Sequence, residues 1–127
     1  MKQKQPYAFS VSVKTQYLAD QSNPDEARYA FAYTVTITNI GSVAAQLISR
    51  HWIITNENQE THEVKGLGVI GAQPLLEPDQ QFEYTSGTVF TTANGEMRGS
   101  YQLVAADGTW FEANIEPFVL KQPRTLH

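Results

Sequence analysis

A chain of 127 residues, 41% hydrophobic and 17% charged, has the size and make-up of one globular domain rather than a disordered or fibrous protein. It contains no cysteine, which excludes disulfides, thiolate metal sites and a cysteine nucleophile, and suits a reducing compartment. A net charge of −4, with nine Lys and Arg scattered along the chain, excludes general nucleic-acid binding, which needs clustered cations against phosphate.

The start, Met1 to Pro6, is basic but leads into no apolar run, so it does not read as a signal peptide. No stretch approaches the ~18 apolar residues of a membrane span. We therefore expect a cytoplasmic protein with no membrane partner, forming one domain over residues 1–127 with its core at about 7–120.

Period-two alternation dominates the chain. Tyr7, Phe9, Val11, Val13 and Tyr17 share one face of a first strand, and the polar connector 20–26 follows. Tyr29, Phe31, Tyr33, Val35 and Ile37 share a face of the second, which stops at the turn residues Asn39 to Ser42. The stretch 46–55 is apolar on both faces around Trp52, which predicts a central strand covered on both sides. Residues 60–65 predict a short polar strand whose Glu60, Glu63 and Lys65 would protect an edge. The segment 66–79 has no usable period and holds three glycines and two prolines, predicting a long loop.

Strand signals resume over 81–90 and break at Asn94-Gly95. A last hairpin pairs 100–105 with 109–115 across Asp107-Gly108, and 117–120 suggests an added edge strand. Seven or eight short strands with no long helix predict an all-β, immunoglobulin- or fibronectin-type-III-like sandwich.

Gly66-Leu67-Gly68-Val69-Ile70-Gly71 matches the G-x-G-x-x-G dinucleotide fingerprint in form only. That chemistry needs a helix directly after the glycines, and Pro74 and Pro78 deny one. Two readings of the loop survive. Lys65 with the amides of Gly66, Gly68 and Gly71 could cradle an anion without a helix. Alternatively, Leu67, Val69, Ile70, Leu75 and Leu76 either fold back over the core, the commoner outcome, or face a partner.

His51, His62 and His127 show no metal-ligand spacing, so no metal site is expected. His51, beside Trp52, reads as a hydrogen-bonded structural residue. Asp20-x-Ser22-x-Pro24 fails the calcium-loop pattern. Ser86-Gly87 and Gly99-Ser100 each supply half of a nucleophile elbow, with no partner at the level of sequence. Nothing nominates a catalytic residue, and no cofactor is implied.

Several ordered motifs closely resemble the ApaG family. They are Ser49-Arg50-His51-Trp52-Ile53-Ile54-Thr55, the run from Val64 through Gly71 to Pro74, and Phe82-x-Tyr84-x-Ser86-Gly87. Gly95-x-Met97-x-Gly99-x-Tyr101 and Ile115-x-Pro117-Phe118-x-Leu120 complete the set, which spans about Tyr7 to Leu120. The resemblance implies a fibronectin-type-III-like sandwich in a bacterial cytoplasmic protein. It also implies a link to cobalt and magnesium tolerance, and a glycine motif discussed as a pyrophosphate-binding element. Related eukaryotic domains look like protein-recognition modules. The leading expectation is a non-enzymatic module that binds an unidentified protein through the 66–79 loop or a sheet edge. The alternative is a phosphate, pyrophosphate or nucleotide binder using Lys65, Gly66, Gly68 and Gly71, and a metal-responsive protein comes third.

Overall fold

A computed structural model of the chain describes residues 4–123. Its strands are β1 (Phe9–Tyr17), β2 (Tyr29–Asn39), β3 (Ala45–Asn56), β4 (Thr61–Leu67), β5 (Leu75–Leu76), β6 (Gln81–Phe90), β7 (Asn94–Ala105) and β8 (Trp110–Lys121). One sheet has the order β1-β2-β6; the other runs β4-β3-β7-β8, with two-residue β5 pairing β3 beyond β4. All pairs are antiparallel. This is the two-layer sandwich that the alternation predicts, built from eight strands.

The inward residues of β2 are the core's spine. Phe31, Val35 and Ile37 are sealed from solvent, and Leu47, Met97, Tyr101, Leu103, Ile115 and Leu120 meet them from the larger sheet. Each such side chain stabilises the fold by about 1.5–3 kcal/mol through burial alone. Trp52 sits among Tyr33, Tyr101 and Phe118 in edge-on contacts, with ring centroids 5.5, 6.4 and 5.9 Å away.

β3 corrects one expectation. It is central in its sheet but covered on one face only; its apparent two-sidedness comes from a bulge. Leu47 pairs with Leu103 and Ser49 with Gln102, so Ile48 is an extra residue. Before the bulge Leu47 points inward; after it Arg50, Trp52 and Ile54 share the inward phase, and Ser49, His51 and Ile53 point out. One added residue makes both faces look apolar when the strand is read as regular.

Other boundaries also move. Asn94 and Gly95 begin β7 rather than interrupting it; the turn lies at 91–93, and the Phe90 ring packs over Gly95 where a side chain would sit. The expected edge strand at 117–120 is the continuation of β8. Met97 faces Phe118 and Gly99 faces Ile115, so β8 spends three residues on two of β7, and Pro117 falls in the bulge where no ladder hydrogen is needed. The buried Asn39 ties the connection after β2. Its amide donates to the Val43 and Leu76 carbonyls at 3.0 and 2.9 Å, and its carbonyl accepts from Gly41 N–H at 2.9 Å.

The two flanks of the sandwich differ. On one, β1 packs along β8, with Tyr7 and Phe9 against Phe111 and the Tyr7 hydroxyl donating to Asp107. On the other, β4 and β6 both present unpaired edges, and β4 is exposed along both faces except at Gly66. That open flank carries the site.

Candidate functional site

The glycine segment is a tight hairpin leaving the open flank. β4 runs on to Leu67, further than the polar pattern suggests, and Gly68, at φ +64°, turns the chain outward. Val69 and Ala72 then exchange both backbone hydrogen bonds around Ile70 and Gly71, whose φ angles are +43° and +80°. Two positive-φ central residues are what a type I′ turn requires. Glycine takes this conformation freely, but isoleucine, branched at Cβ, does not.

The apolar residues of the segment divide. Val69 and Leu76 fold back into the core. Leu67, Ile70 and Leu75 stay outside at 74%, 63% and 58% exposure. Leu67 lies opposite Ser49 and Leu75 opposite Gln46, both on the outward phase of β3, while Ile70 forms the tip between them. The row begun by Leu75 continues through Gln46 and Val104 to the exposed Trp110, roughly 14 Å across three strand spacings.

Lys65, Gly66, Gly68 and Gly71 do not share one concavity. Lys65 pairs with His51 and lines an outer-face groove together with Gly66, Arg50, Ser49, Leu67, Gln102 and Glu112, which Gly68 and Gly71 do not join. Gly66 lies under the Arg50 guanidinium, 2.9 Å from where a Cβ would stand. The Gly68 amide donates to the Ile48 carbonyl at 2.7 Å. Gly71 stands at the turn with open space beside it.

On the inner side of the same hairpin, a half-enclosed cavity of about 190 Å³ is lined by Tyr33, Arg50, Trp52, Val69, Ile70, Tyr84 and Ser86. Arg50 enters it from the inward phase of β3 that the Ile48 bulge sets. Its Nη1 donates to the carbonyls of Leu67 and Gly68 at 3.0 and 2.8 Å, fastening the hairpin to the sheet. The Tyr84 hydroxyl is hydrogen-bonded to that of Tyr101. Burial pushes the Tyr84 phenol up to about 12; burial and the neighbouring Tyr84 raise Tyr101 further. Both are neutral at physiological pH.

His51 departs from its sequence reading. It faces outward, its Nε2 has no hydrogen-bond partner, and the Glu63 carboxylate is 3.5 Å away. Among the described residues no three His, Asp or Glu side chains converge to hold a metal ion. No helix among them is long and apolar enough to cross a membrane.

Sequence reasoning missed Arg50, Tyr33, Tyr84 and Ser86 as a group, because they come from β3, β2 and β6 and meet only across the sandwich. The available signal was parity: Arg50 stands two residues before the core Trp52, and Ser86 two after the core Tyr84.

Comparison with known proteins resolves the kinship. A family model described as the ApaG domain matches residues 19–105. The chain belongs to the ApaG family. It is 58% identical to Protein ApaG of Nitrosomonas eutropha over 127 residues, covering 100% of both chains. Against Protein ApaG of Dechloromonas aromatica the identity is 59% over 121 residues, covering 95% of each. A crystal structure of a Bordetella pertussis protein described as ApaA matches with a TM-score of 0.93 at 52% identity, covering 96% of this chain and 99% of that one. An Archaeoglobus fulgidus protein shares the fold alone, with a TM-score of 0.54 at 6% identity.

Proposed function

We propose that this ApaG-family chain is a non-enzymatic protein-binding module of the cytoplasm, and that a partner protein docks on the hairpin between β4 and β5. The observation that carries the proposal is Ile70. A branched residue in the left-handed region costs on the order of 1–3 kcal/mol and persists only where its surroundings hold it. Here the Val69–Ala72 pair and the buried Val69 hold it, yet the side chain is 63% exposed. The chain thus tolerates strain to present an apolar group to solvent, flanked by Leu67 and Leu75. Exposed apolar clusters on rigid supports are the usual anchors of protein interfaces.

A phosphate or pyrophosphate held by Lys65 and the loop amides is the lesser proposal, because Gly68 has spent its amide on Ile48 and Lys65 lies on the outer face. On the leading reading, cobalt and magnesium tolerance is a property of the partner's pathway. Calorimetry of the isolated chain with either ion then gives no heat beyond dilution.

The proposal is tested by affinity capture from a bacterial lysate, comparing the native chain with a folded Leu67→Ser, Ile70→Asn, Leu75→Ser variant. At least one protein is retained by the native chain and lost by the variant. Identical partner sets for both would remove the hairpin from recognition.

A further inference from the structure

The cavity beneath the hairpin is lined by hydrogen-bond donors that its structural role leaves free to meet solvent or a ligand. Arg50 carries five N–H hydrogens. Two are used by Nη1 on the Leu67 and Gly68 carbonyls. The three on Nε and Nη2 have no partner among the described residues, and no carboxylate lies within salt-bridge distance of this half-buried guanidinium.

Three neutral donors surround it. Tyr84 and Tyr101 share one hydrogen bond, which uses one of their two hydroxyl hydrogens and leaves the other unplaced. Tyr33 and Ser86, each carrying a hydroxyl, border the same space. No Asp or Glu among the described residues lines the cavity. A site rich in hydrogen-bond donors, with one cation and no anion, is built for an acceptor carrying negative charge.

The class of anion follows from charge count and wall chemistry. A phosphate dianion calls for more than one cation, and among the described residues Arg50 is the only one lining this cavity; Lys65 lies in the outer groove, which Arg50 also borders. The remaining walls, Trp52, Val69 and Ile70, are apolar, and about 190 Å³ is room for a small group with a short stem. A carboxylate matches a guanidinium edge bidentately and brings one charge.

We propose that this cavity is a carboxylate-binding site, in which Arg50 grips the carboxylate through its Nε and Nη2 hydrogens. Tyr33, Tyr84 and Ser86 supply neutral donors, and Trp52, Val69 and Ile70 hold the short apolar stem. The assignment deepens the protein-recognition reading and rests on it for the ligand's source, a partner segment that meets Ile70 and presents a carboxylate beside an apolar group. The binding chemistry itself needs no partner, so the two can fail separately.

The test is an NMR titration of the full chain, following the Arg50 side-chain Nε–H and the Ile70 and Gly71 amides. The probes are phenylacetate, acetyl-phenylalanine, acetyl-phenylalanine amide, acetyl-glutamate amide and inorganic phosphate. Phenylacetate is expected to give saturable shifts at ~1–10 mM, in keeping with the efficiency of small ligands. Acetyl-phenylalanine amide, which lacks a carboxylate, is expected to give none.

Arg50→Gln abolishes the shifts, and Arg50→Lys weakens binding by at least ~5-fold by removing the fork. Because Arg50 also fastens the hairpin, Tyr33→Phe is the second variant. It keeps the ring and the cation, and should weaken binding about 3–10-fold with an unchanged melting temperature. Binding of acetyl-phenylalanine assigns the site to a chain terminus, and binding of acetyl-glutamate amide to an acidic side chain. Binding of phenylacetate alone upholds the site but makes a free small acid its ligand. Saturation by phosphate without phenylacetate, equal binding of acid and amide, or no shifts at 100 mM of any probe would overturn the proposal.

Discussion

Replacing Ile70 by asparagine separates what the hairpin needs for its own stability from what it offers outward. The left-handed conformation costs a residue with a Cβ about 1–2 kcal/mol, and asparagine pays least among the non-glycine residues. Full burial of an isoleucine would be worth about 1.5–3 kcal/mol, but at 63% exposure roughly a third of that is realised, about 0.5–1 kcal/mol. Asparagine ahead of Gly71 is also the favoured pair for this turn. Ile70→Asn should therefore stabilise the fold by about 0.5–1 kcal/mol, raising the melting temperature by roughly 2–5 °C for a domain this size.

Urea unfolding followed by tryptophan fluorescence measures the change, since Trp52 is buried and Trp110 exposed. Ile70→Ala is the control: it keeps the cost of a Cβ in the left-handed region, sheds only the part due to branching, and loses the partial burial, so it should destabilise by up to about 0.5–1 kcal/mol. Opposite signs for the two variants support a residue kept for contact with something else. If asparagine destabilised by 1 kcal/mol or more, Ile70 would be packing for the chain's own benefit, and the strain argument would fail.

Asn39→Ala should cost about 3 kcal/mol in the same assay, because it strands two carbonyls and an amide around a buried site. Gly99→Ala should cost at least ~2 kcal/mol. Its Cβ would stand 1.9 Å from the His51 carbonyl oxygen, backbone that cannot step aside. Gly66→Ala meets the Arg50 guanidinium, whose Nη1 fastens the hairpin, so it should shift the Arg50 Nε–H resonance and cost about 1 kcal/mol at most. In alkali the buried phenols act as a stability term. The folded value of Tyr84, about 12, lies above its unfolded 10.0, so its contribution is intact below pH 10 and lost as pH rises towards 12. Absorbance titration at 295 nm should show Tyr84 and Tyr101 ionising above the ordinary phenol value of 10.0, together with unfolding; their ionisation near 10.0 in the folded chain would contradict the buried pair.

Much of the sandwich was legible because alternation is a direct image of a half-buried strand. β1, β2 and β6 read off Phe9 to Tyr17, Tyr29 to Ile37 and Phe82 to Phe90, and Asp107-Gly108 announced the β7–β8 turn. The misreadings fall where the period slips. Ile48 gives β3 two phases, and Glu116-Pro117 splits β8 in the sequence but not in space. The glycine hairpin hid its turn because isoleucine, absent from turn signatures, occupies a position that asparagine or glycine normally holds. Arg50 was invisible for the opposite reason. It looked like one more scattered cation, and its spacing of two from the core Trp52 carried no weight while β3, read as regular across the Ile48 bulge, looked apolar on both faces.

The open flank gives the molecule an uneven clock. β4 is held by a single ladder to β3, and its faces are exposed except at Gly66 under Arg50, so it can part from the sheet without disturbing the aromatic core. Its amides should exchange with deuterium through such local openings, orders of magnitude sooner than those of β3 and β7, which are paired on both sides. β1, clamped to β8 by Tyr7, Phe9 and Phe111, has no such freedom. The strand that ends in the hairpin is thus also one free to open locally. A ligand gripping Arg50 would act as a brake on it, slowing exchange along β4 in proportion to its occupancy.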